Sequence, residues 1–365
     1  MVVELDTELQ TMAAFLTKQI DGLITRPIRL MEVCGTHTVA IFKAAIRQLL
    51  PAQVDLVSGP GCPVCVTPSR YLDTAIAYSR EKGVIVTTFG DMMRVPGTDS
   101  TLSEQRAAGA DIRMVYSPLE CIEIAKSNPL KRVVFLAVGF ETTAPLVAGT
   151  ILTAQAAGVK NFFVLPAHKR VPPVLQALLS NAGVQVDGFL LPGNVCAITG
   201  EQPFEFLASQ YQIPAVIAGF SPLEILQAIY RLAKQIHAGE ARLENQYKQV
   251  VRPEGNLTAV RILNQVYGEA DTDWRGLGCI ARSGLVLRST YHSFDIRTAL
   301  PVTVPDRPVH SACRCGEVLQ GKALPRECLL FGTACTPEQP IGACMVSVEG
   351  ACAAWYQYGS WRWQG

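Results

Sequence analysis

Apolar residues recur at spacings of three and four over residues 4–21, at Leu5, Leu9, Met12, Phe15, Leu16 and Ile20. This predicts an amphipathic helix that ends near Asp21-Gly22 and packs on a core. From Arg29 to about Phe220 the pattern changes. Short apolar runs, at Leu30–Val33, Val54–Val57, Val84–Thr88, Val133–Val138, Phe162–Leu165, Gly188–Leu191 and Ala215–Ala218, alternate with helical periodicity. Strands covered on both faces read as near-continuous apolar runs, and their alternation with helices builds parallel sheets. The predicted fold class is therefore α/β. Similar strand-loop-helix units lie on either side of a helix expected over Ser117–Pro129, which implies two Rossmann-like parallel-sheet lobes facing a cleft. Around Ala238–Gly268 the pattern becomes long and helical, interrupted at Pro253-Glu-Gly, and Gly276–Ser289 reads as strand. The expected organisation is an N-terminal helix over 1–28 packing on the body, a first lobe over 29–118 and a second over 119–237. An irregular, mostly helical, cysteine-rich domain follows over 238–365 and closes on the aromatic residues Trp355, Tyr356, Tyr358, Trp361 and Trp363.

Length and charge narrow the function classes. At roughly 150 residues per domain, 365 residues make two or three domains with a sizeable core. The 32 Lys and Arg nearly balance 31 Asp and Glu, so no basic field exists to attract nucleic acid or anionic lipid. Apolar runs fall far below the roughly 20 residues that span a bilayer. The start, Met1-Val-Val-Glu-Leu-Asp6, lacks a basic segment followed by an apolar one, and a cytoplasmic location is expected. Twelve cysteines in that compartment are metal ligands, redox thiols or nucleophiles more readily than disulfides.

Nearly every strand run is followed by a glycine- or proline-rich loop: CGTH at 34–37, GPGCPVC at 59–65, FGDMMRVPG at 89–97, GFETTAP at 139–145, PAHKRVPP at 166–173 and PGNVCAITG at 192–200. Open α/β sheets bind ligands at the carboxyl ends of their strands, so these loops are the candidate site. Cys62 and Cys65 lie at the mouth of an expected helix, where a dithiol is redox-active. The alternative is two buried cysteines in a turn. Gly59-Pro-Gly61 imitates a dinucleotide fingerprint, but Val64 stands where the third glycine belongs. Cys34 and His37, three residues apart after a strand, can form an activated nucleophile or a soft metal site. With Cys62 and Cys65 they make a constellation of three thiols. Glu141, Thr142, Thr143, His168, Lys169 and Arg170, with Asp91 and Arg94, are expected to bind a small polar ligand there, to tune the thiols, or to act as caps and solvated charges. Cys121 and Cys279 are read as core, and Cys196 stays open.

Six cysteines fall within residues 313–352, where even spreading would give about one. Cys315, Cys328, Cys335 and Cys352, with Cys313 and Cys344 as further candidates, supply the four thiolates of an iron-sulfur cube. Zinc competes, although structural zinc sites use close C-x(2–4)-C knuckles that these four lack. Free thiols are the third reading, and spacing does not choose four of six.

Together the motifs CGTH, GPGCPVC, TFGDMMRVPG, GFETTAP and PAHKRVPP, with the tail CGEVLQG and LFGTACTPEQPIGACMVSVEGACAAWYQYG, resemble the HypD family of hydrogenase maturation factors over essentially the whole chain. The resemblance implies a redox-active assembly factor rather than a conventional turnover enzyme. It implies work with a small HypC-type chaperone to hold an iron carrying two cyanides and one carbon monoxide, a HypE-type cyanide donor, and a hydrogenase large-subunit precursor as indirect partner. It further implies that Cys34 ligates that iron, that Cys62 and Cys65 form a redox dithiol beside it, and that Cys315, Cys328, Cys335 and Cys352 hold a 4Fe-4S cluster. His37 is expected to orient or deprotonate Cys34. Two rival classes are a cluster-dependent protein disulfide reductase and a zinc-stabilised α/β binding protein.

Overall fold

The computed structural model describes residues 7–180, 183–304 and 312–359. Strands form where apolar runs can be covered on both faces. They are β1 (Ile28–Glu32), β2 (Val54–Ser58), β3 (Val84–Thr88), β4 (Ile112–Met114), β5 (Arg132–Ala137), β6 (Phe162–Pro166), β7 (Gly188–Pro192), β8 (Ala215–Ala218), β9 (Leu243–Asn245), β10 (Tyr267–Trp274) and β11 (Gly278–Leu287). Every residue of β3, β6, β7 and β8 is buried. The sheets are parallel, as the α/β pattern requires, and β10 and β11 form a separate antiparallel hairpin.

The lobes do not follow the expected division at residue 118. One sheet runs β2-β1-β7-β8-β9 and the other β4-β3-β5-β6. The second sheet is thus an uninterrupted stretch of chain, while the first is completed by strands that follow it. Leu30 of β1 sits between Leu56 of β2 and Gly188 of β7. Local periodicity marks which segments are strands and carries no information on which edge each one joins. The stretch expected to be helical from Ala238 is also divided: β9 and turns precede a helix at Leu257–Val266, and β10 starts straight after it.

The N-terminal helix spans Thr7–Leu23 and packs on the helix Pro222–Ala238, whose first turn is closed by a reciprocal Ser221–Glu224 capping box. Leu16 and Ile20 enter a core with Ile225, Ile229 and Leu232, each burial worth about 1.5–3 kcal/mol. Leu9, Met12 and Phe15 stay exposed, so less of the apolar stripe packs than its spacing suggests. Leu5, Trp361 and Trp363 lie outside the described residues. Among the described residues no helix is long and apolar enough to cross a membrane.

Residues 312–359 fold as short helices and turns laid against the carboxyl ends of the strands. Ser347 Oγ donates to Asp91 Oδ2 at 3.1 Å, Arg94 Nη1 donates to the Pro337 carbonyl at 3.4 Å, and Trp355 meets Phe42 edge-on. The cysteine-rich tail is therefore part of the wall around the strand-end loops.

Candidate functional site

Cys34 follows β1 and precedes the helix Gly35–Lys43, so a strand end and a helix start both fix its position. Cys34 is 5% exposed, and burial together with the Glu349 charge pushes its thiol up to about 12. The Thr36 hydroxyl and the amides of His37 and Thr36 favour the thiolate, without outweighing burial. His37 does not reach Cys34 with its ring. Its Nε2 lies 2.9 Å from the Gly219 carbonyl beyond β8, and the ring stacks on Phe220 at 4.6 Å. Burial lowers it to about 4, so it is a neutral strut between the Cys34 helix and the next strand end. The group that does reach back is Glu32, buried at the end of β1. It accepts from Thr38 Oγ1 at 2.5 Å and from the Cys34 amide at 3.3 Å, and burial raises it to about 7.

The loop after β2 brings the second pair of thiols to the same place. Gly61 is required there: a Cβ would lie 2.4 Å from the Cys34 nitrogen, and its carbonyl accepts the Gly35 amide at 3.3 Å. Cys62 then caps the short helix Pro63–Val66 by accepting the Cys65 amide at 3.2 Å. Cys62 and Cys65 are joined by a disulfide and are 2% and 0% exposed. The tail closes this arrangement. Cys65 Sγ is 4.0 Å from the Ala343 carbonyl, and Thr36 Oγ1 donates to Glu349 Oε1 at 2.7 Å. A side chain at position 35 would strike Glu349 at 2.3 Å.

The polar loops of the other sheet are taken up by the β10–β11 hairpin. Lys169 is buried, donates to the Asp273 carbonyl at 2.5 Å and lies over the Trp274 ring. Arg170 pairs with Glu269, His168 meets the Tyr267 ring edge-on, and Glu141 accepts the Val171 amide. Thr143 Oγ1 bonds the Phe140 carbonyl of its own turn. Sequence reading assigned these loops to the cleft because the strand that covers them lies more than a hundred residues away; Lys169 bridges to Gly284. Cys121 and Cys196 are buried as core residues. Cys279, read as core, is instead exposed, next to the exposed Gly278 where β11 leaves the hairpin turn.

All six tail cysteines line one small cavity, closed by Val318, Leu330, Phe331 and Met345. The thiols of Cys313 and Cys344 both hydrogen-bond that of Cys315, which lowers Cys315 well below an ordinary thiol; Cys344 also meets Cys352. Cys335 accepts the Ile341 amide at 3.3 Å. A larger cavity of about 460 Å³, with Tyr71, Lys169 and Arg297 in its wall, holds no thiol. Among the described residues no three Cys, His, Asp or Glu donors converge on a single-ion position; the sulfurs surround a space instead. Sequence reading missed Glu32 and Glu349. Glu32 has a signal, a carboxylate inside an apolar strand run, whereas Glu349 is an ordinary polar residue until the tail is folded back.

The profile of a family described as HypD, hydrogenase formation hypA family, matches residues 9–359. The chain belongs to the HypD family. Its similarity to HypD hydrogenase maturation factors covers more than nine-tenths of the chain. It is 46% identical to that of Escherichia coli, over 91% of this chain and 90% of the relative. It is 45% identical to that of Azotobacter vinelandii over 92% and 91%, and 43% identical to that of Rhodobacter capsulatus over 96% and 94%. The matched span takes in every HypD motif whose geometry is described above.

Proposed function

We propose that this HypD-family chain is an assembly scaffold in hydrogenase maturation. It holds an iron at Cys34 while two cyanides and one carbon monoxide are attached, with Cys62 and Cys65 as the adjacent redox dithiol. A 4Fe-4S cluster occupies the cysteine cavity. The observation that carries this reading is that three thiol groups, encoded far apart, meet at one place: Gly61 lies on the Cys34 backbone, Cys65 faces Ala343, and Glu349 bonds Thr36.

Iron bearing strong-field carbon ligands suits a soft thiolate. In the free chain burial and Glu349 keep Cys34 protonated, so iron binding displaces that proton, and the Thr36 and His37 amides face the thiolate that results. The second thiolate comes from a HypC-type partner, and a HypE-type partner donates cyanide. Reduction of the Cys62–Cys65 disulfide takes up two electrons and two protons and yields two thiols beside the iron. Six sulfurs around an apolar-walled space suit an iron-sulfur cube, with Cys315, Cys328, Cys335 and Cys352 as the ligand set that the family resemblance implies. When bound, the cluster supplies one-electron reducing equivalents. Cys62 is 2% exposed, which denies access to a protein disulfide and favours the scaffold over a disulfide reductase.

The test is an infrared spectrum of the chain isolated without air together with its HypC-type partner. Iron-bound cyanide and carbon monoxide stretches are expected, and Cys34→Ala should remove them while leaving the cluster absorbance intact. A brown, cluster-loaded complex from maturation-competent cells that lacks the bands would move the assignment to a disulfide reductase.

A further inference from the structure

Arg275 stands between the two thiol sites and has no part in the reading above. It occupies the turn of the β10–β11 hairpin. Its amide donates to the Val66 carbonyl at 2.8 Å and its Nε to the Thr67 carbonyl at 2.7 Å, the last carbonyl of the Cys62–Val66 turn and the one that follows it. On the other side Gly276, at φ +74°, is pressed against the helix Cys315–Leu319. A Cβ at Gly276 would lie 2.3 Å from the Gly316 Cα, and Gln320 Nε2 donates to the Gly276 carbonyl at 3.0 Å. The hairpin tip is thus wedged between the dithiol turn and the cysteine cavity.

The guanidinium is only half used. Nη2 is fully enclosed and makes no hydrogen bond, a costly state for a charged donor. Burial works against its charge, and the groups whose negative charge would offset that are Cys315, Cys344, Cys313 and, last, Asp73. Arg314, which does line the cavity, is already engaged by Glu317 and the Glu327 carbonyl. Four thiolates on a buried cluster leave net negative charge, and each added electron increases it. Net charge and hydrogen bonds to sulfur set the potential of such a cluster.

We propose that Arg275 is a positioning residue that joins the two thiol sites: anchored on the Cys62–Val66 turn, it offers Nη2 and a fixed positive charge to the cavity sulfurs and raises the reduction potential of the cluster held there. This rests on the reading that the cavity holds a cluster, and the experiment separates the two.

Full-length wild-type, Arg275→Gln and Arg275→Lys chains are reconstituted with iron and sulfide, assayed for both, and titrated redox-wise with the cluster followed by electron paramagnetic resonance. Arg275→Gln should bind wild-type amounts of iron and sulfide, with a midpoint more negative by at least a tenfold change in the one-electron equilibrium, about 59 mV. Arg275→Lys, which keeps the charge, should recover at least half of that shift; a purely structural role would give no such rescue. A loaded Arg275→Gln chain with the wild-type midpoint overturns the inference alone. Should Arg275→Gln hold no cluster, the lysine variant decides: a cluster near the wild-type midpoint supports the assignment, and loss of the cluster there too overturns it. A wild-type chain that binds no cluster overturns the proposed function, and the inference with it.

Discussion

Four buried titratable side chains pull stability in opposite directions with pH. Burial raises Glu32 and Glu141 to about 7 from an ordinary 4.5, and lowers His37 to about 4 and His168 to about 3 from 6.5. The raised carboxyls contribute fully below pH 4.5 and lose that contribution as pH climbs through 7. The depressed histidines contribute fully above pH 6.5 and lose it as pH falls through 4 and 3. Between 4.5 and 6.5 the folded chain holds two extra carboxyl protons and lacks two histidine protons, so the slopes cancel. Denaturant unfolding of the metal-free chain, repeated across pH 3 to 8, should give a plateau over that window with a fall on either side. His168→Phe should remove about three-quarters of the histidine-driven acid-side fall, leave the alkaline side unchanged, and tilt the plateau so that stability declines with rising pH across it, because two carboxyl slopes then oppose one histidine slope. At this scale the loops carrying Cys34 and Cys62–Cys65 do pack on each other, and the glycine turns at strand ends that mark them are legible in the sequence. The sequence reading assigned His37 a partner it does not have, because a side chain three residues from a thiol has several directions to point, and Phe220 with the Gly219 carbonyl takes this one.

Among the elements, the contact between the loops after β1 and β2 holds the thiols in place. Gly61→Ala would set a methyl against the Cys34 backbone and push the Cys62–Val66 turn away. The expected cost is about 1–3 kcal/mol of stability. Iron should be lost in the infrared assay while the cluster absorbance stays, since the cavity is built from other segments. Equal loss of both signals would show that the variant damages the whole fold. Apart from the hairpin strand β11, the strands that sequence alone revealed are largely buried and carry mostly apolar runs. β4 and β9 escaped because each has three residues and is partly exposed, and β10 because alternating buried and exposed positions, following directly on Leu257–Val266, blend into the helical pattern.

At the scale of the whole molecule, the tail is the keystone. It supplies the sulfur cavity, Glu349 at Cys34, Ser347 at Asp91 and Ala343 at Cys65. Replacing the six tail cysteines one at a time with serine and measuring iron and sulfide should divide them cleanly into four variants that lose the cluster and two that keep it. Loss in Cys315, Cys328, Cys335 and Cys352 variants matches the proposed ligands, and retention in any of these transfers its place to Cys313 or Cys344. The clustering of these residues was plain in the sequence; their meeting with Cys34 and Cys65 was not, since it depends on chain reversal over hundreds of residues.

The interleaved order of the strands also sets a timetable. During synthesis the sheet β4-β3-β5-β6 emerges as one stretch and finds its partners at once, but β1 waits for β7 on its free edge, and the tail arrives last. Until then the contacts from Ala343 and Glu349 that help enclose Cys65 and the Cys34 turn are missing, whereas the finished molecule leaves Cys34, Cys62 and Cys65 almost wholly covered. The nascent chain is therefore the stage most open to oxidants, and a cell short of reductant would harm this protein more while making it than after it is made.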